Sequence, residues 1–171
     1  RFVDLASEGF DMAIRIGRLQ DSTLISRQLS TTRLVAVASP EYLAAHGTPG
    51  HPDQLKSHNC IRDSNLRAGQ SWPFLINGKE QKIAVSGRFM VNSATAVRAL
   101  VLAGEGIGLC PSYAVAEHVL AGTLKQVLPD FPSPQLGIQA VFSDGRRMPA
   151  RTRALLDYLV QVYKSASWND L

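Results

Sequence analysis

Leu34-Val35-Ala36-Val37-Ala38 is an unbroken apolar run that passes directly into Ser39-Pro40-Glu41-Tyr42-Leu43. A strand with one wet face alternates polar and apolar residues, whereas a continuous run suits a strand covered on both faces. Ser39 can accept a hydrogen bond from an orphan amide of the first helical turn, and Pro40 loses nothing at the first helical position. A doubly covered strand that feeds a helix at once is the building unit of α/β proteins.

The same alternation continues along the chain. Phe10 to Ile16 alternates and ends at Gly17, and Leu24 to Leu29 forms a second, weaker strand. Pro52 to His58 suits one or two helical turns, and Asn59 to Arg62 a short strand. Trp72 to Ile76 and Lys79 to Val85 flank Asn77-Gly78, a dipeptide that accepts the positive φ angles of a tight hairpin. Asn92 or Ser93 then caps a helix with Val97, Leu100, Val101 and Gly104 on one face. Ile107 to Cys110 is a strand, Pro111 starts a helix stopped by Gly122, and Leu136 to Phe142 is a further strand. The last helix runs from Pro149 to about Ala166, with Leu155, Leu159, Val162 and Tyr163 at helical spacing. Phe2, Leu5 and Ala6 before Gly9 read as the end of a helix that begins upstream of Arg1. The pattern predicts mainly parallel sheets.

Composition narrows the function. Hydrophobic residues make up 45% and charged residues 19% of the 171, a balance that argues against disorder. The net charge of +4 is spread out apart from Arg146, Arg147, Arg151 and Arg153, so no broad stripe for a phosphate backbone is expected. Cys60 and Cys110 sit in apolar surroundings and read as reduced, buried thiols. With neither a membrane-length apolar run nor a signal peptide, the chain reads as cytoplasmic and as having no membrane partner.

Signatures of catalysis are weak. Gly104, Gly106 and Gly108 follow a helix and precede a strand, the reverse of the order that aims amides at a pyrophosphate. His46, His51, His58 and His118 lack metal-ligand spacing, and no serine lies in a nucleophile elbow. No enzyme activity, cofactor or metal is therefore expected. Ligand holding is better supported. Ser39 and Asn92-Ser93 begin helices, where free amides and a partial positive charge gather. Ser39 also follows a strand, and ligands of open α/β sheets sit at the carboxyl ends of parallel strands. Arg15, at the end of the first strand, could grip a carboxylate with two bonds. Periodicity alone favours the plainer alternative, an ordinary surface pair with an aspartate or a side chain that snorkels to solvent.

Taken together, these blocks resemble a known family. VDLASEGFDMAIRIGRLQDSTLISRQL followed by TTRLVAVASPEYLAAHGTPGHPDQLKSHNCI is similar to the regulatory domain of LysR-type transcriptional regulators. AVRALVLAGEGIGLCPSYAVAEHVLAGTLKQVLPDF and MPARTRALLDYLVQVY resemble that domain's later helix-strand-helix and its final helix. The resemblance implies two Rossmann-like α/β lobes of the type 2 periplasmic-binding-protein kind, joined by two crossover strands. Residues 1–33 with 142–171 would form the first lobe, lacking its opening strand and helix, and 34–141 the second. It implies a small, carboxylate-like effector in the interlobe cleft, self-association as a dimer or tetramer, and DNA contact only through an N-terminal winged helix-turn-helix outside these residues. Carried over by position, the effector contacts would be Arg15, Ser39, Ile61, Arg62 and Asp63 on a cleft-edge loop, and Asn92 and Ser93 at a helix start. A solute-binding protein of a transport system would share the architecture and is the alternative.

Overall fold

The computed structural model describes residues 9–17, 25–66, 71–142 and 148–164. The helix end expected before Gly9, the start of the second strand at Leu24, and Arg146 and Arg147 lie outside them. The strands are β1 (Ala13–Gly17), β2 (Ile25–Ala38), β3 (Cys60–Asp63), β4 (Ser71–Ile76), β5 (Lys79–Ala84), β6 (Met90–Val91), β7 (Ile107–Pro111), β8 (Lys125–Val127) and β9 (Gln135–Phe142). The helices are α1 (Pro40–His46), α2 (Ala94–Leu102), α3 (Ser112–Leu120) and α4 (Ala150–Lys164), with a 3-10 helix at Pro52–Ser57.

The chain forms two compact units, Arg1–Thr32 with Gln135–Asn169, and Arg33–Pro134. β2 contributes to both. What reads in sequence as two strands, broken by Ser30-Thr31-Thr32-Arg33, is one 14-residue strand. Polar residues are tolerated there because burial becomes continuous only from Leu34 onward.

In the first unit β1 pairs antiparallel with β9, from Ala13↔Val141 to Gly17↔Gly137. That pairing draws β9 into this unit, although the sequence reading placed residues 135–141 in the other lobe. Leu29, Ile138, Ala140, Phe142 and Leu156 make the core, joined by Leu159, Val160 and Tyr163. The buried stripe of α4 is therefore 156/159/160/163, while Leu155 and Val162, expected inside, are exposed. Two overlapping stripes of helical spacing exist in this segment, and packing selects between them.

The second unit is a mixed sheet in the order β8-β2-β7-β3-β6. β2 is antiparallel to β7 and β8, whereas β3 is parallel to β6 and β7. The mainly parallel sheet expected from sequence is thus limited to three strands. Val35 and Val37 of β2 pack with Val97 and Val101 of α2, Val115 of α3, Ile61 and Cys110. Gly108 lets α2 come close: a Cβ there would lie 2.6 Å from methyl groups of both Val97 and Val101. β4 and β5 form a separate hairpin around Asn77 (φ 52°) and Gly78 (φ 73°), with Trp72, Phe74 and Ile76 buried along β4.

Candidate functional site

The three parallel strands of the second unit bring their carboxyl ends to one edge of the sheet. β3 ends there at Asp63, β6 leads through Asn92-Ser93 into α2, and β7 leads from Pro111 into Ser112 and α3. The two nine-residue helices therefore begin side by side along this rim. Ser93 occupies the N-cap of α2 and Pro111 that of α3, and neither start receives a side-chain capping bond among the described residues. Helices elsewhere in the unit are capped: Ser39 Oγ accepts the Tyr42 amide at 3.2 Å, and His51 Nδ1 accepts that of Asp53 at 3.3 Å. Amides of a helix's first turn have no intrahelical partner and carry a partial positive charge, so the α2 start offers donors to an anionic or carbonyl oxygen.

Polar side chains complete the rim. Asp63 is buried, and its Oδ1 accepts the Asn65 amide at 2.9 Å. The Asn65 side-chain amide in turn donates to the Asn92 carbonyl, tying the β3 end to the start of α2. Ser112 is fully buried at the first position of α3. Beneath the rim the Cys110 thiol is pushed up to about 12, first by burial and then by the nearby Asp63 charge, with Arg98 opposing. Arg98 donates to the Ala114 carbonyl at 2.9 Å and so braces α2 against α3.

Of the positions singled out in sequence, Asp63, Asn92 and Ser93 come together here. Ser39 does not. Because β2 runs antiparallel to β7, its carboxyl end lies beside the amino end of β7, at the opposite edge of the sheet. Ser39 is buried there as the cap of α1, with its Oγ 3.6 Å from where a Cβ on Gly104 would be. Ile61 lies on a strand and is sealed in the core with Val97 and Val101. Arg62 points its guanidinium at the Gly87 carbonyl, 3.3 Å away. Its Nε is the one buried side-chain nitrogen or oxygen without a partner among the described residues. Arg15, in the first unit, is half-buried on β1 opposite Gln139. Sequence reasoning passed over Asn65 and Ser112, although the strand-to-helix step Cys110-Pro111-Ser112 was a usable signal.

In open α/β sheets, ligands sit at the carboxyl ends of parallel strands, where helices begin. Comparison with known proteins gives the family. Residues 1–164 match the model of the LysR substrate binding domain. The chain is 35% identical over 159 residues to the HTH-type transcriptional regulator PtxR of Pseudomonas aeruginosa, covering 93% of this chain and 51% of that protein. It is 36% identical over 163 residues to the probable HTH-type transcriptional regulator LtrA of Klebsiella pneumoniae, covering 93% and 52%. Among solved structures, CrgA, a LysR-type transcriptional regulator from Neisseria meningitidis, superposes with a TM-score of 0.83 at 31% identity, covering 93% of this chain and 54% of that one.

This chain belongs to the LysR substrate-binding-domain family. It has the mixed α/β fold of LysR regulatory domains and spans about half the length of the curated relatives it matches. These relatives are transcriptional regulators and the structural neighbours regulatory domains, not enzymes. No helix among the described residues is long and apolar enough to cross a membrane.

Proposed function

We propose that this chain is the effector-sensing domain of a LysR-type transcriptional regulator and binds a small organic molecule along the rim of the second unit. The observation that carries this reading is the start of α2 at Ser93, without a side-chain cap among the described residues, beside the buried Asp63 at the carboxyl ends of the parallel strands. First-turn amides suit a carboxylate, while the Asp63 carboxylate suits a hydroxyl or amino group on the same molecule. A hydroxy or amino carboxylate meets both needs. In this reading the two compact units are the two lobes of the family fold, and Arg15 is an effector contact carried over from the family by position. Binding would shift the balance between domain arrangements only to the extent that the effector prefers one of them. Contact with DNA would belong to a helix-turn-helix domain outside these residues, as the names of the relatives suggest, and the change would reach it through a dimer or tetramer. The same names favour a regulator over the transport-protein alternative.

A thermal-shift screen of aliphatic and aromatic carboxylates, with and without hydroxyl or amino groups, tests the reading. A ligand at 100 times its Kd stabilises the native state by about 2.7 kcal/mol. Hydroxy or amino carboxylates should raise the transition most, and Arg15→Ala and Asp63→Asn should reduce the response without unfolding the domain. Equal affinity of wild type and both variants by calorimetry would refute the assignment of these residues.

A further inference from the structure

The second unit contains a cavity of about 220 Å³ that shares no lining residue with the rim. Alternation along β2 sends Val35 and Val37 to the face covered by α2 and α3, so Leu34 and Ala36 face the other way. On that side the cavity is bounded by Leu34 and Ala36, by Phe74 of the hairpin, and by Val127, Leu128 and Pro132. The small Ala36 side chain helps keep the space open.

Three features give this space pre-set walls. Leu128 holds φ at 58°, a left-handed conformation that a leucine seldom adopts, and its carbonyl accepts the Phe131 amide at 3.0 Å. The Leu75 amide donates to the Pro132 carbonyl at 2.8 Å, which ties the 128–132 loop to β4. Pro129 and Pro132 limit the loop's freedom further. Cavities of about 150 Å³ hold benzene, while drug-sized pockets begin near about 300 Å³, so this volume suits one ring with a small substituent. Most of the lining is apolar. Gln126 pairs with Val37 across the sheet, so its side-chain amide lies on the α2 and α3 face and is turned away from this space.

We propose that this cavity is a second small-molecule site, separate from the rim, for an apolar single-ring molecule of the size of toluene. Its place gives it leverage. Arg33 and Pro132 line it, the first residue of this unit and one only two before its end at Pro134. An occupant therefore stiffens the second unit next to both segments through which the chain leaves it.

The test is a methyl-NMR titration of the 171-residue chain with toluene, no effector being present. The expected result is saturable shifts at Leu34, Val127 and Leu128 that spare Val97 and Val101 and vanish in Ala36→Leu. Gln126→Leu, on the opposite face of the sheet, should leave the toluene affinity unchanged. Shifts that grow linearly without saturation, that appear first at Val97 and Val101, or that persist in Ala36→Leu would overturn the proposal. Should Ala36→Leu not fold, the smaller Ala36→Val decides, and an unchanged toluene affinity there counts against the site. None of these readings depends on the effector screen, so either proposal can fail alone.

Discussion

Ser39 and Ser93 occupy the same formal position before α1 and α2, yet the structure assigns them opposite energetic roles. Ser39 is buried, and its Oγ accepts the Tyr42 amide at 3.2 Å. Ser39→Ala removes the acceptor of that buried amide. Loss of an N-cap costs about 0.5–2 kcal/mol, and leaving a buried donor unpaired pushes the value toward the upper half. About 1–2 kcal/mol is expected. Ser93 makes no capping bond, so Ser93→Ala should fall within about 0.5 kcal/mol of wild type, as for a substitution that removes no structural contact. Urea unfolding separates the two. With a slope of about 2 kcal/mol/M for a small domain, Ser39→Ala should lower the midpoint by about 0.5–1 M at constant slope, and Ser93→Ala should hardly move it. Effector affinity should show the reverse order, because Ser39 lies at the far edge of the sheet and Ser93 at the rim. Equal stability losses in the two variants, or a Ser39→Ala protein that keeps its stability but loses the effector, would refute this use of capping and strand direction.

Further consequences are open to direct measurement. Burial pushes the Cys60 and Cys110 thiols up to about 12, so at pH 8 only about one in ten thousand is ionised. Both should resist a thiol reagent in the native chain and react once urea unfolds it. The same shift makes the folded state hold protons that the unfolded state releases, so stability should fall as pH climbs from about 9 toward 12. His58 lies beside the Tyr42 hydroxyl at 3.2 Å, and burial, then the neighbouring His46, lowers its proton affinity below the usual 6.5. Its contribution is complete above pH 6.5 and is lost on acidification; a His58→Gln chain should show a flatter stability profile below pH 6.5 by thermal melts. Gly108→Ala should cost about 1–3 kcal/mol through overpacking against Val97 and Val101. Val101→Ala should recover part of that loss in a double-mutant cycle, and strict additivity would rule out the contact.

Local chemistry carried much of the fold into the sequence. Asn77-Gly78 specified the hairpin because both residues accept positive φ. Ser39-Pro40 specified the start of α1, and Gly104 (φ 77°) the turn out of α2. What stayed hidden depends on tertiary pairing. Nothing local to residues 34–38 tells whether that strand runs with or against its neighbours, and the antiparallel answer is what moves Ser39 away from the rim. The two-residue β6 and three-residue β8 are too short for any periodicity. Ile61, named among the effector contacts by position, packs in the core because β3 is covered on both faces there, with its neighbour Cys60 buried as well. Asp63, Asn92 and Ser93 were legible because a strand end followed by a helix start leaves a pattern in sequence; Asn65 and Ser112 gain meaning only when the parallel strands align.

Amide-resolved NMR of the ¹⁵N-labelled chain, titrated with the strongest ligand from the carboxylate screen, bears most directly on the proposed effector site. The largest saturable shifts should fall on the first-turn amides of α2 (Ala94, Thr95, Ala96) and of α3 (Ser112, Tyr113, Ala114). Shifts centred instead on the opposite edge, from Ser39 to Leu43, or a ligand that perturbs neither helix start, would contradict it.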